Sequence, residues 1–106
     1  MTYVKINENL YPATINGTLR DSQWGGRASK SITIEMDYAT ALLLFVDGLL
    51  WSIVMDVEQG QAEYDNSEYD LAGPITDNRD GTVTVKMGKP TDGEMLAELM
   101  EVLNND

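Results

Sequence analysis

The 106-residue chain contains no cysteine and no histidine. Disulfides, thiolate nucleophiles, the usual zinc ligand sets and imidazole acid–base chemistry are excluded together. Basic residues are scarce: 7 lysines and arginines stand against 18 acids, a net charge of −11. The deficit is uneven, since residues 1–55 hold five acids and four bases (net −1) and residues 56–106 hold thirteen acids and three bases (net −10). Such a surface repels nucleic acid and anionic membrane, favours basic protein partners or cations, and keeps a small protein dispersed. Long apolar runs are also missing. The longest is broken at Asp47-Gly48 and falls short of the roughly 20 residues that a membrane span needs. The start, Met1-Thr2-Tyr3-Val4-Lys5, lacks the apolar core of a secretory signal. The expectation is a protein of a reducing compartment that touches neither nucleic acid nor membrane directly.

Hydrophobic residues nevertheless make up 42% of the chain and lie in patterned blocks, which implies one packed domain spanning 1–106. The stretch from Ser31 to Val57 is the most apolar and is expected to supply most of the core. Asp37 is a suitable N-cap and Gly48 a stop for a short helix over about 38–46, whose apolar residues cover nearly its whole circumference; burial on several sides follows. Some of that burial could come from another subunit. Leu49 to Val54, with Trp51 inside it, reads as a central strand.

Upstream, Tyr3–Ile6 and Leu10–Ile15 form a hairpin pattern around Asn7-Glu8-Asn9, with Pro12 bending the second strand or confining it to an edge. Asn16-Gly17 is a strong reversal signal. Thr18–Trp24 and Arg27–Met36 make a second hairpin around Gly25-Gly26. Two readings stand for Trp24 and Arg27: an aromatic–arginine grip on a partner, or an indole folded over the sheet with the guanidinium stacked on it.

Asp56 to Asp70 carries six acids and no base and reads as a loop. Its Asp65, Glu68 and Asp70 invite a calcium hypothesis, because hard cations want several oxygen ligands, but the spacing fits no helix-loop-helix calcium site. The competing reading is a solvated acidic run. Tyr69–Thr76 and Thr82–Met87 are strands around Asp80-Gly81, the second with one buried and one wet face. Thr91 with Glu94 makes a capping box for a terminal helix over about 92–104. Met95, Leu96, Leu99, Met100 and Leu103 form its apolar stripe, which must dock on the protein's own sheet or pair with a copy of itself. The sum is an α+β protein: a β-rich sandwich or partly open barrel of about six to seven mostly antiparallel strands with two helices. No residue pattern implies a cofactor or a catalytic set.

The run Tyr11-Pro12-Ala13-Thr14-Ile15-Asn16-Gly17, the Trp24-Gly25-Gly26-Arg27 loop, Leu44-Phe45-Val46-Asp47 leading to Trp51-Ser52-Ile53-Val54, and Ile75-Thr76-Asp77 through Asp80-Gly81-Thr82-Val83 to Met87-Gly88-Lys89-Pro90 together resemble small hypothetical proteins of phages and prophages of gut Firmicutes. The likeness spans most of the chain. It implies a phage origin, a gene in the tail or late structural region, and residence in the bacterial host cytoplasm or in the virion.

Three functions are weighed. The first is a non-enzymatic structural or assembly protein acting through protein contacts, with other phage structural proteins or further copies of itself as partners and Trp24, Arg27 and the terminal stripe as contact residues. The second is an acidic decoy whose carboxylates imitate phosphates for a host DNA-binding protein. The third is a hydrolase of wall sugars that uses a carboxylate pair, for which no acid sits in an apolar setting that would raise its proton affinity.

Overall fold

Alternation in β7 (Thr82–Gly88) decides which way its sheet faces. Val83, Val85 and Met87 are fully buried and Thr82, Thr84 and Lys86 are half-buried between them. Its neighbour β3 (Arg27–Glu35) meets it in antiparallel register, Ile32 opposite Val85 and Ile34 opposite Val83, so the β-branched pairs fall on the core side. A computed structural model describes residues 1–104, with side chains given throughout except for Glu98 and residues 101–104. The remaining elements are β1 (Thr2–Ile6), β2 (Asn9–Asp21), α1 (Tyr38–Leu44), β4 (Ser52–Val57), β5 (Gly60–Asp65), β6 (Leu71–Asp77) and α2 (Asp92–Asn104).

All strand pairs are antiparallel, in the order β5-β4-β1-β2-β3-β7-β6, and the sheet does not close. β2 belongs to both halves: Asn9–Pro12 pair with β1, and the residues from Ala13 onward pair with β3. The handover falls at Pro12, which cannot donate to a ladder. One core cluster joins the halves, with Val4 and Ile6 from β1, Ile32 and Ile34 from β3, Val83, Val85 and Met87 from β7, and Ala41, Phe45 and Trp51 beside them. The α+β class and the partly open, sandwich-like architecture read from the sequence are the ones observed.

Local expectations were overruled in several places. Asn16-Gly17 does not reverse the chain: β2 runs through it, with Asn16 opposite Ser31 and Gly17 opposite Lys30, because the long pairing with β3 outweighs a local turn preference. The reversal comes at Ser22–Gly26, where Gly25 and Gly26 adopt positive φ. The acidic run from Asp56 is not a loop but the end of β4 and the edge strand β5, with Ala62 and Tyr64 opposite Met55 and Ile53. Outside the strands this run keeps only the Glu58-Gln59 turn and Asn66–Asp70, and Trp51 holds the latter segment: Asn66 N–H donates to the Trp51 carbonyl at 2.9 Å and Trp51 Nε1–H to the Tyr69 carbonyl at 3.0 Å. β4 begins at Ser52 rather than Leu49, though Trp51 is core as expected.

Helix α1 lies where expected but is not buried on several sides. It buries Ala41, with Phe45 just after it, while Leu42, Val46 and above all Leu43 (80% exposed) face solvent. The Asp37 carboxylate makes no cap bond; the Asp37 carbonyl receives the Ala41 N–H at 3.0 Å instead.

Candidate functional site

The turn between β2 and β3 is built around Asp21. Its carbonyl accepts from Trp24 N–H at 3.0 Å and Gly26 N–H at 2.8 Å. Its buried carboxylate accepts from Lys86 Nζ at 2.7 Å, Ser29 Oγ at 2.9 Å and the Gln23 N–H at 3.0 Å. Lys86 first, and then Ser29, holds this carboxyl below the usual range. The turn so fixed carries Trp24 onto the outer face of β6 and β7, where two glycines leave it room. A Cβ on Gly88 would lie 2.7 Å from Trp24 Cζ3, and one on Gly73 would lie 2.9 Å from its Cη2.

Arg27 stacks over the indole at 5.0 Å. Its Nε–H donates to the Trp24 carbonyl at 3.0 Å, and its fork reaches Glu94: Nη1 to Oε1 at 2.6 Å and Nη2 to Oε2 at 2.9 Å. Glu94 closes the expected capping box, accepting from Thr91 N–H at 2.8 Å while its own N–H donates to Thr91 Oγ1 at 3.2 Å. The Arg27 hydrogen bonds, and then that of the Thr91 N–H, pull the Glu94 carboxyl down to about 2. Of the two readings of Trp24 and Arg27, the folded-over, stacked arrangement is the one present, and it ties the start of α2 to the sheet.

Beyond that tie the apolar stripe of the helix is about half exposed. Met95, Leu96, Leu99 and Met100 are between 49% and 57% exposed, and among the described residues no strand makes an extensive contact with α2. The expectation that the stripe packs on the protein's own sheet is therefore not met; the side chain of Leu103 lies outside the described residues. Leu42, Leu43, Val46 and Leu50, in and just after α1, are further exposed apolar side chains. The sequence missed this exposure because an all-round apolar helix reads as core.

Asp65, Glu68 and Asp70 do not converge. Asp65 Oδ1 accepts from Ser67 N–H at 3.0 Å and from its hydroxyl at 2.6 Å, and Glu68 reaches Lys89 at 3.4 Å. Among the described residues no group of three acids is arranged to hold a metal ion. Nearby, the ring of Tyr69 lies between two ammonium groups, Lys30 at 4.7 Å and Lys89 at 5.3 Å from its centroid. Lys30 also donates to the buried Asn66 Oδ1; burial first of all lowers its proton affinity. Asp21, Asp65, Asp80 and Glu94 are all displaced toward lower pKa, opposite to what a general acid needs.

Where β1 parts from β2, a cleft of about 730 Å3 opens, lined by Pro12, Ala13, Ile15, Ile53 and Met55 among others. Among the described residues no helix is long and apolar enough to cross a membrane. No protein-family model, no curated protein and no solved structure matches the chain.

Proposed function

We propose that the chain is a non-enzymatic phage or prophage structural or assembly protein that acts through protein–protein contacts in the host cytoplasm and in the virion. The observation that carries this reading is α2: an amphipathic helix fastened at its first turn by Arg27 and Glu94 while its Met95, Leu96, Leu99 and Met100 stripe stays about half exposed, with no extensive strand contact among the described residues. A helix of about a dozen residues is marginal alone in water. An apolar face held out in this way is the half of a helix-in-groove contact that a partner completes. The resemblance to phage proteins gives the setting, and the two flexible methionines suit an adaptable contact.

The test is assembly. The chain is co-expressed with the other late structural proteins of its phage, particles are separated by sedimentation, and their composition is measured. Leu96→Glu with Leu99→Glu should remove the chain from particles while leaving its melting temperature unchanged. Undiminished incorporation of that variant overturns the reading.

A further inference from the structure

Among the described residues the sheet offers three exposed edges for comparison, and they are not alike. β5 presents Glu63 and Asp65 beside Gln61, and such charges discourage edge pairing. β6 carries Pro74 within a register shift between Ala72 and Ile75, which breaks its ladder. The third edge belongs to β2. β1 pairs only with Asn9–Pro12, so from Ala13 onward the side of β2 that faces away from β3 has no strand partner among the described residues. From Ala13 to Leu19 this edge holds no proline and no charge. Each unpaired N–H and C=O along it can join another strand.

We propose that this edge pairs antiparallel with the same edge of a second copy, forming a two-fold dimer with a continuous sheet across the interface. Residues that face each other across such an axis must lie on the same sheet face, so the two numbers sum to an even value. Centring on Gly17 places Asn16 opposite Thr18 of the other copy and Ile15 opposite Leu19, the first residue after the regular pairing with β3, which shifts register between Thr18 and Asp21. Leu19 is 89% exposed in the single chain, and in this register both copies of it are covered by Ile15. Ile15 lines the cleft that continues to Ile53 and Met55, so Leu19 of each copy enters the apolar cleft of the other. Gly17 has no atom within 4 Å of where a Cβ would stand, leaving the axis clear. Charge selects the same occupant. The acidic excess lies in residues 56–106, the edge carries only Arg20 before Asp21, and Glu35 in the cleft is accompanied by Lys30, so two copies of an acidic chain meet here with little opposition between carboxylates. This surface is separate from the α2 stripe and does not depend on the function proposed for it.

The experiment is molar mass by size-exclusion chromatography with light scattering at high micromolar concentration, on three full-length chains. The native chain should elute at twice its monomer mass. Leu19→Glu, at a residue that packs on almost nothing in the monomer, should weaken association by about tenfold or more through a charge placed in the shared edge. Leu96→Glu should leave the dimer intact. Independently, Gly17→Cys, the only thiol in the chain, should oxidise to a covalent dimer, whereas Leu43→Cys should not under the same conditions. A native chain that stays monomeric overturns the proposal, as does a dimer that Leu19→Glu leaves intact or that Leu96→Glu abolishes.

Discussion

Arg27 and Glu94 face each other as fork and carboxylate, Nη1 to Oε1 at 2.6 Å and Nη2 to Oε2 at 2.9 Å, and this pair joins the β2–β3 turn to the first turn of α2. The arrangement is bidentate and leans on Trp24, so it depends on the planar guanidinium and not on charge alone. Arg27→Lys should therefore behave like Arg27→Ala. In both, amide hydrogen exchange across residues 92–100 should speed up while that of β3 and β7 stays slow. Protection in Arg27→Lys equal to that of the native chain would show that a point charge suffices.

The same pair sets a pH limit. Glu94 has its carboxyl lowered from an ordinary 4.5 to about 2 in the folded chain, so its contribution is complete above the unfolded value and is lost as pH falls through the folded one. Attachment of α2 should persist at pH 5 and fail progressively between about pH 4.5 and 2. Glu94→Gln should show the loosened state already at neutral pH. Hydrogen exchange of α2 followed along an acid series measures this, and a transition centred above pH 5 would assign it to another group.

Asp21 should respond in the same direction through a different structure. Its carboxyl is lowered by Lys86 and Ser29, so the stability it adds is present above the ordinary carboxylate range and disappears on acidification. Asp21→Ala removes the acceptor of three bonds and leaves the partly buried Lys86 without its counter-charge. Its urea midpoint should drop well below that of Asp80→Ala, whose carboxylate serves only the exposed turn before β7. Equal midpoints would mean that the Lys86 pair adds nothing to the fold.

The α2 stripe predicts the opposite of a core. Leu96→Ser and Leu99→Ser should change unfolding free energy by less than about 0.5 kcal/mol, as solvent-facing substitutions do. Ile32→Ala, at the centre of the cluster where β3 meets β7, should cost about 2–5 kcal/mol. Denaturant unfolding of the three variants gives both figures. A loss above about 1 kcal/mol in the stripe variants would mean that α2 packs on its own chain after all.

What the sequence disclosed follows from the range of each signal. The alternation of Val83, Val85 and Met87 and the Thr91–Glu94 box are complete within a few residues, and both appear as read. Asn16-Gly17 misled because its preference is local, whereas nine residues of β3 require a partner and β2 supplies it. Asp56–Asp65 misled because an edge strand wet on most sides has the composition of a loop. The stacking of Arg27 on Trp24 was legible from the two residues. Its floor was not, since Gly73 and Gly88 come from β6 and β7 and only the folded sheet brings them under the indole. The open edge of β2 left one trace, the uncharged run from Ala13 to Leu19, and a run of that kind reads equally well as an interior strand.

That floor makes the sharpest prediction. A methyl group on Gly88 would sit 2.7 Å from Trp24 Cζ3 and 2.9 Å from Arg27 Cδ, and one on Gly73 would meet both the indole at 2.9 Å and the Lys86 carbonyl at 3.0 Å. Neither glycine has a positive φ, so the cost of Gly88→Ala is steric and should be about 1–3 kcal/mol. Trp24→Ala alone removes the indole's packing. If the clash is what Gly88→Ala costs, the double variant should be no less stable than Trp24→Ala, giving a coupling of about 1 kcal/mol or more in the cycle. Gly73→Ala should be rescued less completely, because the Lys86 carbonyl is backbone and cannot move aside. Gly17→Ala, with open space around it, is the control and should be close to neutral in the monomer. Additive losses for Gly88→Ala and Trp24→Ala would show that the indole can leave the sheet freely, and the corner that holds Arg27 in place for Glu94 would then need another explanation.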